Sequence, residues 1–187
     1  MSQLFEMDNY VIRTKLLRIF GGAFYFEDLE GNVVAYSKQK RFKLKEDIVL
    51  YTDESCTEPL VQIKARSVFD LATTYDIFNP QDGTNLGSAK RQALKSILKD
   101  SWVINDPAGN PYASFVEDSI AILRRFIPLI PAKYHFEVAG QPEILMQQRF
   151  NPLIKRTQVS IPPGHPLDHR VIAAVALLSS AIEGRQG

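Results

Sequence analysis

The stretch Val171-Ile172-Ala173-Ala174-Val175-Ala176-Leu177-Leu178-Ser179-Ser180-Ala181-Ile182 decides how this sequence is read. It has the composition of a helix. Asp168 or His165 can cap its start, Pro166 fits a first turn, and Gly184 stands where a C-terminal glycine would end it. Ser179 and Ser180 are the only polar side chains, and neighbours on a helix lie about 100° apart, so they form no polar stripe. A helix that is apolar all round must be enclosed, by protein or by lipid. Twelve residues at about 1.5 Å each reach roughly 18 Å, short of the ~30 Å hydrocarbon core of a bilayer. The expectation is a buried core helix, in which Val171, Ile172, Val175, Ala176, Leu178 and Ile182 meet a surrounding wall.

The rest of the chain supplies strands for that wall. Asp28-Leu29-Glu30-Gly31-Asn32, Pro80-Gln81-Asp82-Gly83-Thr84 and Asp106-Pro107-Ala108-Gly109-Asn110 are polar turns built on a glycine, which suits hairpins that need a positive φ. Gly83 to Gly109 is 26 residues and Gly31 to Gly83 is 52, which places a missing copy near position 57. There the chain reads Asp53-Glu54-Ser55-Cys56-Thr57-Glu58-Pro59, another polar turn, and Ala139-Gly140-Gln141-Pro142 makes a fifth. β-Branched and aromatic runs flank each turn: Phe24-Tyr25-Phe26 and Val33-Val34-Ala35-Tyr36 around Gly31, Ile48–Tyr51 and Leu60–Ile63 around Thr57. Five hairpins, plus the extended stretches Tyr10–Leu17 and Ile154–Ile161, give about twelve strands. The simplest architecture is mainly β, a closed antiparallel barrel surrounding the buried hydrophobic C-terminal helix, because closure removes sheet edges and a wide barrel needs a filler. One domain is expected over residues 9–187, with residues 1–8 as a short N-terminal extension. Ser88–Lys99 conflicts locally, since Leu94, Ile97 and Leu98 recur at helical spacing; the turn period favours a strand there, followed by a connection.

Composition narrows the function classes. Hydrophobic residues at 45% and charged residues at 23% are ordinary for a globular protein, and a net charge of +1 predicts no global attraction to nucleic acid or anionic lipid. Any such binding needs a local patch. Cys56 is the only cysteine, which excludes an intrachain disulfide and a thiolate zinc site. The first eight residues lack the apolar core of a signal peptide, so a cytoplasmic location is expected.

Enzyme templates fail one by one. There is no Gly-x-Ser-x-Gly elbow, nothing basic adjoins Cys56, and Gly21-Gly22 leads into a strand rather than the helix and lysine of a phosphate loop. His165 and His169 are four apart with Asp168 between them, but further ligands for a metal are missing, and polar residues at a helix start explain them better. No catalysis, metal or cofactor is expected. The remaining candidate is the run Lys38-Gln39-Lys40-Arg41-Phe42-Lys43-Leu44-Lys45, where Arg41, Lys43 and Lys45 would share one strand face. Lys90 and Arg91, with Lys95 and Lys99 beyond them, form a second cluster, and Arg124-Arg125 a third basic pair. Lys40, Arg41, Lys43, Lys45, Lys90 and Arg91 are the expected binding residues, and an anionic membrane surface or phosphoinositide the expected partner.

The chain resembles the LURP-one-related proteins, which share a fold with phospholipid scramblases and the tubby C-terminal domain. The landmarks are Tyr10-Val11-Ile12, Phe24-Tyr25-Phe26-Glu27-Asp28 before Gly31, Lys40-Arg41-Phe42-Lys43-Leu44, Leu86-Gly87 ahead of Lys90-Arg91, Leu94-Lys95-Ser96 leading to Trp102, and Asp168-His169-Arg170 before the last helix. The match spans roughly residues 9–184. No one landmark is specific; their order and spacing are. The resemblance implies the same barrel around a C-terminal helix. It also implies phosphoinositide binding of the tubby kind, through a basic patch. A scramblase-like lipid transporter and a regulatory barrel that binds other proteins are the alternatives. This sequence departs from the scramblases in the segment before the final helix, where His165–His169 holds one carboxylate, Asp168, while calcium takes six to eight oxygens.

Overall fold

The computed structural model describes residues 2–17, 21–40, 47–67, 73–92, 101–118, 131–149 and 154–183. Twelve strands follow one another: β1 (Asn9–Leu17), β2 (Gly21–Glu27), β3 (Val33–Lys40), β4 (Ile48–Tyr51), β5 (Pro59–Ala65), β6 (Thr74–Phe78), β7 (Asn85–Arg91), β8 (Ser101–Asn105), β9 (Pro111–Glu117), β10 (Lys133–Val138), β11 (Ile144–Arg149) and β12 (Lys155–Ser160). Each pairs antiparallel with the next, and β1 closes on β12, so the sheet is a closed barrel with no free edge. Period-two alternation sets the two faces. On β1, Tyr10, Ile12 and Thr14 face the lumen while Val11, Arg13 and Lys15 face out. Trp102, Ile104, Phe115, Phe136 and Ile144 continue the lumen wall on later strands.

Alternating strand direction sorts the connections onto two rims. The five short turns, at residues 28–32, 52–58, 79–84, 106–110 and 139–143, all lie at one end. Gly31, Gly83, Gly109 and Gly140 adopt positive φ there, as glycine-built hairpin turns require. The copy without glycine places Cys56 at φ 55°, a conformation L-residues seldom adopt. Asp28, Asp53, Asp82 and Asp106 fold back to accept backbone N–H groups of their own turns. At the opposite rim, Leu17, Lys40, Ala65, Arg91, Glu117 and Arg149 end their strands.

Helix α1 (His169–Glu183) starts from the turn rim, after the connection that follows β12. Every residue from Val171 to Ile182 is at most 6% exposed, so the helix is enclosed on all sides, including the six residues expected to meet the wall. Asp168 caps it, accepting the Arg170 N–H at 2.8 Å, and holds the Arg170 guanidinium as well. Leu167 and Ile161 close the core beneath the helix. The N-terminal extension packs too: Gln3–Glu6 forms a 3-10 turn whose Leu4 and Phe5 are core residues, and the Ile161 N–H donates to the Asp8 carbonyl at 2.7 Å. Strand β7 runs to Arg91, as the turn period requires, whereas residues 93–100 and the expected glycine stop at Gly184 lie outside the described residues.

Candidate functional site: a basic outer face

Five neighbouring strands, β3-β2-β1-β12-β11, hold Arg13, Lys15, Lys38, Lys40, Arg149, Lys155 and Arg156 against one carboxylate, Glu27, with Lys155 alone at a lumen-side position, opposite Thr14. The other seven strands hold Lys64, Lys90, Arg91 and Lys133 against Asp76, Glu117 and Glu137, which is near balance. Register explains how the charges meet. Tyr36 pairs with Tyr25, Tyr25 with Arg13, Arg13 with Arg156, and Arg156 with Arg149, so two tyrosines and three arginines form one row across the outer wall. Nearer the rim opposite the turns, Lys38 pairs with Ala23 and Ala23 with Lys15. Lys15 and Lys38 are exposed and have no acidic partner among the described residues, and one small alanine separates them by about 10 Å, two strand spacings. Lys40 closes β3 opposite Gly21, one step further towards that rim.

The row has a defined internal geometry. Arg13 donates to Glu27 and lies over the Tyr25 ring, 4.0 Å from its centroid. Glu27 is almost fully buried, and its second oxygen is 3.6 Å from Arg156. Arg149 donates through Nε and an Nη to the Gln158 amide oxygen. Tyr25 packs edge-on against Tyr36 at 5.1 Å, with Cys56 against both, and donates to Glu54 at 3.3 Å. Burial pushes the Tyr25 phenol up, with Glu54 adding to the shift, so it stays a neutral platform beneath Arg13.

The expected binding residues divide. Lys40 ends β3, one of the five strands. Arg41, Lys43 and Lys45 lie outside the described residues, as do Lys95, Lys99 and Arg124-Arg125. Lys90 and Arg91 do not join it: β4, β5 and β6 intervene between β3 and β7, four strand spacings or roughly 19 Å. They also part from each other. Lys90 pairs with Val103 on the outer wall, while Arg91 pairs with Trp102 on the lumen side. Sequence reasoning missed Arg13 and Lys15 on β1 and Arg149 and Arg156 on β11 and β12, two regions at opposite ends of the chain. The available signal was the alternation Val11-Arg13-Lys15 along one strand face.

Two histidines have distinct environments. His135, on the outer wall of β10, is held by Asp118 at 2.8 Å and Glu137 at 3.0 Å. Burial draws its pKa down, but the two carboxylates outweigh that and leave it raised. His165 sits buried beneath the helix start, its Nδ1 accepting the Leu167 N–H, and burial with His169 nearby lowers its pKa. Among the described residues no group of three His, Cys, Asp or Glu side chains could hold a metal ion, and no helix is long and apolar enough to cross a membrane.

No protein-family profile matches the sequence, and no curated protein is significantly similar to it. Among solved structures, the X-ray structure of a protein from Arabidopsis thaliana superposes with a TM-score of 0.53 at 15% identity, covering 92% of this chain and 90% of that one. At that identity the likeness shows the fold alone.

Proposed function

We propose that this chain is a non-catalytic barrel of the LURP-one-related kind that binds anionic, phosphate-bearing lipid headgroups at a cytoplasmic membrane surface. The observation that carries the reading is the concentration of five outward-facing basic residues, Arg13, Lys15, Lys38, Arg149 and Arg156, against one acid on five contiguous strands. The acids are elsewhere: Asp28, Glu30, Asp53, Glu54, Glu58, Asp82, Asp106 and Glu143 occupy the five turns, which contain no lysine or arginine. A net charge of +1 hides this separation. A face about 20 Å across, carrying cations worth about 1 kcal/mol each near an anionic leaflet, suits peripheral attachment. In sequence, Arg41, Lys43 and Lys45 follow directly on β3 and would add to it.

Co-sedimentation with vesicles tests the reading. Binding is expected to vesicles containing phosphatidylserine or phosphoinositide and not to neutral phosphatidylcholine. It should weaken as salt shortens the Debye length from about 10 Å at 0.1 M to about 3 Å at 1 M. Equal binding to neutral and anionic vesicles, or none to either, would overturn it.

A further inference from the structure

We propose that Arg13, Arg156 and Arg149 form a subsite for a phosphoryl group, which gives the basic face a specific ligand chemistry and rests on the reading above. Directly opposed residues on neighbouring antiparallel strands stand about 4.5–5.5 Å apart, and like charges so placed repel. Here two such pairs, Arg13 with Arg156 and Arg156 with Arg149, are set side by side. One buried carboxylate reaches two of the three guanidinium groups: Glu27 bonds Arg13 and lies 3.6 Å from Arg156, while Arg149 is held by the neutral Gln158 amide. Among the described residues the row therefore carries net positive charge that is not neutralised.

Its supports face the turn end of the wall. Glu27 and Gln158 pair with Val11 on either side of β1, two residues along from the arginine row and on the same face. The Tyr25 ring fixes the plane of Arg13. Arg149 and Arg156 remain exposed to solvent. Guanidinium forks held in this way match the oxygens of a phosphate two at a time, which a lysine ammonium cannot do. A dianionic tetrahedral group seated on the row would satisfy the free N–H groups and remove the repulsion. That group could be a monoester phosphate on a lipid headgroup or on a soluble phosphorylated molecule.

The test measures thermal unfolding of the full chain in inorganic phosphate and in sodium chloride at matched ionic strength. Three proteins are compared: wild type, Arg149→Gln/Arg156→Gln, and Arg149→Lys/Arg156→Lys. Phosphate is expected to raise the wild-type Tm by mass action. The glutamine variant should fold with an equal or higher Tm in chloride, because it loses like-charge repulsion, and should need about tenfold more phosphate for the same rise. The lysine variant keeps the charge but not the forks, and should resemble the glutamine variant. A second arm compares vesicles holding phosphatidylserine alone with vesicles holding a phosphatidylinositol monophosphate at equal surface charge. Preference for the phosphoinositide, lost in the glutamine variant, assigns the group to lipid; a phosphate-dependent Tm without that preference assigns it to a soluble molecule. No phosphate effect in wild type, or an equal effect in all three proteins, overturns the subsite. Salt-sensitive binding to both anionic vesicles would still stand in that case and leave the broader reading intact.

Discussion

Gly87 sits on β7 at φ +127°, and a Cβ built there would lie 2.4 Å from the Asn105 carbonyl oxygen of the neighbouring strand. Both the backbone conformation and the close approach demand glycine. Gly87→Ala should therefore destabilise the fold by more than about 1 kcal/mol, read as a lower midpoint in urea. An unchanged midpoint would mean that β7 and β8 can separate locally at no cost. The histidines make a second prediction at this scale, with opposite signs. His135 is stabilised in its charged form by Asp118 and Glu137, so its contribution is fully present below the unfolded pKa of about 6.5 and is lost as pH rises through the raised folded value. His165 is held neutral, so it contributes nothing above about 6.5 and costs stability as pH falls towards its lowered folded value. His135→Gln should lower stability below about pH 6.5, where the charged imidazole contributes, and abolish the decline above it, so that variant and wild type converge on the alkaline side. A denaturation series from pH 5 to 8 on both proteins checks this.

Among the elements, the helix is the one most completely legible in the sequence. An apolar run with no polar stripe has one structural meaning at this length, and Val171 to Ile182 are indeed buried all round. Ala176 is fully buried, so Ala176→Asp leaves an unpaired charge inside the barrel. It should cost several kcal/mol and in practice prevent folding. A folded variant with a near-wild-type Tm would contradict an enclosed helix. The turns were legible for a related reason: glycine at positive φ and aspartate binding its own backbone leave marks at fixed positions, and the 26-residue period links the turns at Gly31, Cys56, Gly83 and Gly109. It located the second although Cys56 takes the left-handed position there that glycine takes elsewhere, while the turn at Gly140 falls off the period and was found by composition. The N-terminal stretch was legible only in part. Leu4 and Phe5 are two apolar residues without a period to place them, and only the closed barrel shows that they belong to the core.

The basic face belongs to the whole molecule, which is why sequence reading caught one strand of it and could not say whether Lys90 and Arg91 lie beside it. Lys38 and Lys40 are adjacent in the chain to the basic run that follows them. Arg13, Lys15, Arg149 and Arg156 join them only because β1 pairs with both β2 and β12, closing the sheet. Lys90 was grouped with Lys40 by similarity of composition, yet three strands separate β3 from β7. Barrel closure thus does two things: it buries the helix, and it draws dispersed cations onto one wall while the short turns gather acids at one rim. The measurement that tests this most directly is vesicle co-sedimentation of two matched charge-removal variants, Lys15→Gln/Lys38→Gln on the basic face and Lys64→Gln/Lys90→Gln on the opposite strands. At about 1 kcal/mol per cation near an anionic surface, the first should lose binding to phosphatidylserine vesicles by roughly thirtyfold, and the second should stay within about twofold of wild type. Equal losses in both variants, or a larger loss in the second, would contradict a binding face on β3-β2-β1-β12-β11.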